Sequence, residues 1–332
     1  MAGVDPGTGR LLGTPHTERM VRGFDVTCSA PKSASVLFAV GDQVVRQQVL
    51  DGHDAAVAVV ADWIERHGHW RYRMGGKVSV FDAEGITAAV FRQHTSRALD
   101  PQLHTHAVIV NRVLAPDGRW LALDGRTIKR DQQTLSRLYH AGLRAELTRR
   151  LGVRWHEPVN GIAEIAGVPE DVLAEFSQRA DAVEARIDEK LERFTDTFER
   201  PPTPRGRWRL EREAVIDSRP PRSEADYATL EQEWRDRLAT IGFDAGRLVS
   251  GAVGVERGVD RLDDDATERI VGRALVALGE KQSTWRVAEL VRELAAAVPT
   301  DVGMPADRLG PWLDDLAEQV VAARLMLPVP SR

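Results

Sequence analysis

The sequence predicts an α+β fold: an antiparallel sheet with flanking helices, followed by an all-helical region. Three observations carry this. Short alternating or β-branched runs cluster in the first 123 residues and are separated by Gly, Pro and Asp turns. Stretches of helical period interrupt them at 33–40 and 42–68 and replace them after residue 131. From 168 onward the chain reads as one charged amphipathic helix after another.

The elements follow in order. Residues 1–22 are Gly- and Pro-rich and read as a loop, and 24–28 alternate as a strand. Ser29-Ala30-Pro31-Lys32 turns the chain into a helix that starts near Ser33 and runs to Val40. A longer helix covers 42–68. Residues 69–82 alternate around Gly75-Gly76, which predicts a hairpin. Ile86 to Arg97 is a strand, His104 to Leu114 the next, and Asp117-Gly118 turns it into a partner at Trp120 to Leu123. Asp131 to Leu151 is a helix whose end carries Arg149 and Arg150, suited to the negative end of the helix dipole. Residues 168–199 are helical, and 200–206 (RPPTPRG) form a linker or sharp turn. Further helices are expected at 223–241, 264–279, 284–297 and 305–324, with Ser283 as an N-cap. The organisation that results is 1–160, 161–222 and 223–332.

The stretch richest in chemistry is DPQLHTH, Asp100 to His106. His104 and His106 begin a β-branched run, so both side chains share one face, with roughly 7 Å between their Cα atoms. Two imidazoles so placed converge on one metal ion, at about 2.0–2.1 Å if it is zinc. Upstream, FRQHTSR adds Gln93, His94, Arg92 and Arg97.

Composition sets the bounds. The chain has 332 residues, 42% of them hydrophobic, enough for a large core. No apolar run reaches about 18 residues and the start lacks the pattern of a signal peptide, so the expected compartment is the cytoplasm. Cys28 is the single cysteine, which excludes an intramolecular disulfide and a Cys-rich zinc site. The net charge of −5 conceals an asymmetry. Residues 1–160 carry 21 Lys and Arg against 16 Asp and Glu, a net of +5, and the remainder carries 24 against 34, a net of −10. The His cluster lies in the basic half, where a phosphate-bearing partner fits better than over the whole chain. No GxxxxGK[ST] run is present, so no P-loop ATPase is expected.

FDVTCSAPKSAS followed by FRQHTSRALDPQLHTHAVIVNR resembles the TrwC-like (MobF-type) conjugative relaxases over roughly residues 20–220, with a weaker likeness in the helices beyond. The resemblance implies a relaxase or HUH-endonuclease-like fold. It implies strand-specific, metal-dependent nicking of single-stranded DNA at a plasmid transfer origin, in which a tyrosine attacks the phosphate and keeps a 5′-phosphotyrosyl link. It implies one divalent ion (Mg, Mn or Zn) held by His104, His106 and either His94 or Gln93. Asp25 would orient a ligand or assist the nucleophile, and Lys32, Arg92 and Arg97 would contact the DNA backbone.

Two departures accompany the resemblance. The family places its first metal His two residues after the Phe; here that position is Gln93, with His94 one step later, and one step on a strand changes face. Either a local bulge turns His94 to the site, or Gln93 faces it and a two-His centre remains. A Gln oxygen suits Mg²⁺ or Mn²⁺ better than a softer metal. The family's tyrosines also precede the FDVT motif, whereas the first tyrosine here is Tyr72, in an alternating strand that suits packing. The nucleophile is therefore expected from a tyrosine-bearing N-terminal peptide, a neighbouring reading frame or upstream coding sequence. Whether the chain is itself an enzyme stays open. The rival readings are a non-catalytic single-stranded-DNA-binding remnant and a metal-dependent nuclease that uses activated water.

Overall fold

The computed structural model describes residues 3–325 except 6, 16, 19, 75, 76, 83, 84, 116 and 222–225. The expected Gly75-Gly76 turn and the start of the expected 223–241 helix lie outside the described residues.

Three strands form the central antiparallel sheet: β1 (Gly23–Ser29), β4 (Ala88–Thr95) and β5 (Pro101–Val110), in the order β1-β5-β4. Strand β5 alternates without a break. Leu103, Thr105, Ala107 and Ile109 are buried under helices, while His104, His106 and Val108 face the open side. The hairpin β2 (His69–Met74) and β3 (Lys77–Asp82) and the short pair β6 (Val113–Leu114) and β7 (Trp120–Leu121) stand apart as two-stranded ladders. The long strand expected from His104 therefore starts earlier and ends at Val110, because Asn111 and Arg112 turn away before β6.

Helices α1 (Lys32–Val40) and α2 (Gln43–His67) cover the buried face. The first turn of α1 is capped from a distance: the Glu164 carboxylate accepts from the Lys32 and Ser33 N–H groups at 3.2 and 2.7 Å. α2 starts conventionally, with Asp42 accepting from the Val45 N–H at 2.8 Å. Helix α4 (Gln132–Leu151) packs along α2 at close range. A Cβ on Gly52 would stand 2.9 Å from Leu147, and one on Gly142 would stand 3.5 Å from the Ala56 backbone. A short α3 (Gly125–Arg130) precedes it, with Phe24 of β1 lying directly over Gly125.

Beyond residue 160 the chain is helical: α5 (Glu170–Glu175), α6 (Gln178–Phe198), α7 (Pro204–Asp217), α8 (Tyr227–Thr240), α9 (Ala245–Ala252), α10 (Asp264–Lys281), α11 (Val287–Ala297) and α12 (Ala306–Leu325). α6 and α7 form a hairpin stitched by Lys190 to Asp217 at 2.7 Å, and α6 has no buried residue. Helices α11 and α12 return to α4 and α2, so one hydrophobic core runs from Cys28 to Ala317 across both expected segment boundaries. Ser283 is not an N-cap. α11 starts after Arg286, whose N–H donates to Glu289 at 2.8 Å. The stretch 200–206 is a turn into α7, not a linker between bodies. Among the described residues no helix is long and apolar enough to cross a membrane.

Candidate metal and DNA site

The ladder places the candidate residues. On β5, His106 stands opposite Thr27 of β1 and Phe91 of β4, and His104 stands opposite Ser29 and Gln93. Directly opposed side chains share a face. His104, His106, Gln93 and Asp25 are therefore together on the open face of the sheet.

Both imidazoles are held from behind. His104 Nδ1 lies 2.8 Å from the Gln102 carbonyl, to which it donates. His106 Nδ1 lies 3.0 Å from each Asp25 oxygen and 3.1 Å from Thr27 Oγ1. A carbonyl and a carboxylate only accept, so each Nδ1 carries a proton, and in the neutral form of either ring Nε2 keeps a lone pair. The two rings are 5.2 Å apart between centroids. Burial is the main cause that lowers the His104 pKa, which keeps that ring neutral at physiological pH.

His94 does not join them. The ladder shifts register between Gln93 and Thr95, but the extra residue belongs to β5: Gln102 and Leu103 together stand opposite His94. Strand β4 keeps its alternation, so Gln93 takes the site face and His94 turns to the helices. There it stacks on Phe38 at 4.9 Å and meets Tyr227 edge-on at 5.7 Å. Of the two alternatives, the pairing agrees with the one in which Gln93 faces the site and His94 does not. Among the described residues no three His, Cys, Asp or Glu side chains form a metal-holding group. The donors that share the site face are the two imidazoles and the Gln93 amide.

The three basic candidates separate. Lys32 Nζ donates to the Pro101 carbonyl at 2.9 Å, and burial holds its pKa below the usual lysine range. It lines a groove of about 440 Å³ with Ser96, Asp100, Gln102 and Arg179, between the start of β5 and α6. Arg97 is in the adjacent 96–100 turn, close enough to depress the Arg179 pKa, though burial of Arg179 contributes more. That turn is fixed by Asp100, which is fully buried and accepts from the Arg179 N–H at 3.1 Å and from Arg237 at 3.2 Å. Arg92 lies on the other side of the sheet, where it donates to Asp54 of α2 at 2.7 Å. It is not brought together with Lys32 and Arg97.

A further feature lies along β1. The Ala30 N–H donates to the Leu103 carbonyl and the Asn111 N–H to the Arg22 carbonyl. These bonds fix the phase of the ladder, so Phe24, Val26 and Cys28 bond to β5, while Gly23, Asp25, Thr27 and Ser29 point their N–H and C=O groups the other way. Among the described residues no backbone group pairs with that edge, which borders a groove of about 510 Å³ that follows all of β1 and is walled by Ile128, Gln132, Leu135 and Ser136 of α3 and α4.

Sequence reasoning missed His53, which is wholly buried on α2 and bonded to Thr105 between the two site histidines. The signal was present: His53 lies on the stripe Val49, Gly52, Ala56, Val60 that buries α2.

Comparison with known proteins bears on the family of the chain. A family model described as TrwC relaxase matches residues 1–241. Multifunctional conjugation protein TraI of Escherichia coli is 24% identical over 297 residues, covering 85% of this chain and 16% of TraI. TraI of Escherichia coli strain K12 is 25% identical over 300 residues. The chain thus spans about 16% of the length of the curated relatives it matches. Among solved structures, conjugative relaxase TrwC in complex with oriT DNA in a metal-bound form is 28% identical with a TM-score of 0.61, over 72% of this chain and 79% of that one. A copper-bound form of the same complex is 27% identical with a TM-score of 0.61, over 74% of this chain and 80% of that one. The family model covers well over half of the chain, and the chain belongs to the TrwC relaxase family.

Proposed function

We propose that this chain is the DNA-processing part of a conjugative relaxase, acting in the cytoplasm on single-stranded DNA at a plasmid transfer origin. The observation that carries the reading is the shared orientation of His104 and His106. Each ring is fixed by its Nδ1 and offers its Nε2 on one open sheet face, with Asp25 behind His106. His104, His106 and Gln93 would hold one divalent ion. Bound there, that ion supplies positive charge to the oxygens of the scissile phosphate.

The chain's own residues do the rest. Asp25 keeps the His106 proton on Nδ1 and the ring in plane with the site. Lys32 lines the groove toward α6, Arg97 belongs to the turn beside it, and both contact the DNA backbone. Residues 161–222 cover the strand through the α6–α7 hairpin, whose tip region carries the exposed Trp208 beside Arg212 at 5.5 Å. Helices α8, α9, α11 and α12 brace α1, α2 and α4 from behind.

The nucleophile comes from another segment. Of the tyrosines whose side chains are described, Tyr139 is 2% exposed and Tyr227 stands on the helix side with His94, so neither hydroxyl reaches the His104–His106 face. The free edge of β1 offers four N–H and four C=O groups along a groove, the arrangement that takes up an added strand. A tyrosine-bearing peptide paired there would have side chains opposite Asp25 and Thr27 emerging beside His106. The same burial of tyrosines supports a second reading for the chain by itself, in which it binds DNA without forming a covalent link.

The test is a labelled single-stranded transfer-origin oligonucleotide incubated with Mn²⁺ or Mg²⁺ and resolved on a denaturing gel. The chain alone is expected to bind in a metal-stimulated way and to form no adduct, and a version carrying a tyrosine strand is expected to form one. Cleavage without adduct by the chain alone would favour activated water instead and overturn the tyrosine reading.

A further inference from the structure

Helix α2 grips the sheet through two consecutive residues. His53 is wholly buried, with Nε2 2.7 Å from Thr105 Oγ1 and Nδ1 2.7 Å from the Tyr139 hydroxyl. The next residue, Asp54, accepts from Arg92 at 2.7 Å. Arg92 and Thr105 are direct partners across β4 and β5. One turn of α2 therefore holds both strands at a single rung. The rungs on either side are Gln93 with His104 and Phe91 with His106, the two that carry the proposed ligands.

We infer that His53 is a positioning residue for the metal pair, acting through the Thr105 hydroxyl to fix the tilt and separation of His104 and His106. This rests on the proposed role of those two histidines. The need for such an anchor is local. The irregular step at Gln102 and Leu103 immediately precedes His104, and a bulged strand twists more than a regular one. Both ring nitrogens of His53 are satisfied, and burial pushes its pKa down to about 3, so it sits in the core as a neutral ring with no unpaired polar atom. The close approach of α2 to α4 at Gly52 and Gly142 is what brings Tyr139 within reach of that ring.

The test compares Thr105→Val, which keeps shape and loses the hydroxyl, with Thr105→Ser, which keeps it. Val49→Ala, a buried α2 change outside the hydrogen-bonded chain, serves as the stability control. Mn²⁺ binding by calorimetry is the first readout. Long-range imidazole ¹H–¹⁵N spectra of the metal-free chain are the second, since they report which ring nitrogen of His104 and His106 is protonated. Thr105→Val is expected to weaken Mn²⁺ binding about tenfold and to mix the His104 and His106 tautomers, with Thr105→Ser within about twofold of the parent. Val49→Ala is expected to lower Tm and leave both readouts in place. Unchanged readouts in Thr105→Val, or equal losses in Val49→Ala, would overturn the inference. If the parent chain takes up no Mn²⁺, the ligand reading fails and the imidazole spectra alone decide the role of His53.

Discussion

Asp25 brackets the Nδ1 of His106 with both carboxylate oxygens at 3.0 Å, from the strand that pairs beside it. The carboxylate is exposed and fixes a ring without holding up the fold. Asp25→Ala should therefore weaken divalent-metal binding by about 10- to 100-fold while changing stability by less than about 0.5 kcal/mol. Calorimetric titration and thermal melting of the same preparation check both halves.

Gln93 and His94 make a paired prediction. Gln93→His places a third imidazole on the site face and should raise Zn²⁺ affinity by at least about tenfold, since imidazole suits zinc better than an amide oxygen does. His94→Ala should leave metal affinity alone and cost about 1 kcal/mol or more, because the ring it removes stacks on Phe38. If His94→Ala abolishes metal binding, the assignment of faces on β4 is wrong.

Stability should fall on mild acidification. Burial depresses His53 and His140 to about 3 in the folded chain, against 6.5 when exposed. The unfolded chain thus binds more protons below pH 6.5, so the stability these groups contribute is complete above 6.5 and is lost progressively toward 3. Each contributes a slope of up to about 1.4 kcal/mol per pH unit in that window. Urea midpoints at pH 7.0 and 5.5 should differ less for His140→Gln than for the parent.

Gly125 tests the packing of β1 against α3. A Cβ there would stand 2.1 Å from the Phe24 ring, so Gly125→Ala must push the strand and helix apart. A loss of about 1–3 kcal/mol is expected in chemical denaturation. Gly251, where a Cβ meets nothing within 4 Å, should accept alanine without such a loss.

Trp208 is 59% exposed on a hairpin that buries none of α6. If that hairpin covers the DNA, Trp208→Ala should weaken single-stranded DNA binding by about 1–3 kcal/mol, the range for one base stacked on one ring, with Tm unchanged. Fluorescence anisotropy at fixed salt measures it.

Much of this was legible in the sequence because it rests on period. The alternation of β5 put His104 and His106 on one face, and the apolar stripes of α2, α4 and α10–α12 gave their helices. Helix α7 escaped because Ala214 is its only buried residue, so it has no stripe to read, and α9 because it is only 8 residues long. The choice between Gln93 and His94 depended on which strand carries the irregular residue, which pairing decides and local sequence does not. His53 has no partner at ligand spacing in the sequence. Its partners, Thr105 and Tyr139, are 52 and 86 residues away, and only the folded core joins them.

The unpaired edge of β1 also bears on how the chain behaves in concentrated solution. An open row of N–H and C=O groups is a template for any passing strand, and proteins ordinarily blunt such edges to avoid clumping. Here the blunting is done by neighbours: α3 and α4 stand across the groove and leave a slot beside the edge, not an open flank on which another sheet can stack. A chain purified with a strand in that slot should stay in solution longer than one purified with the slot bare.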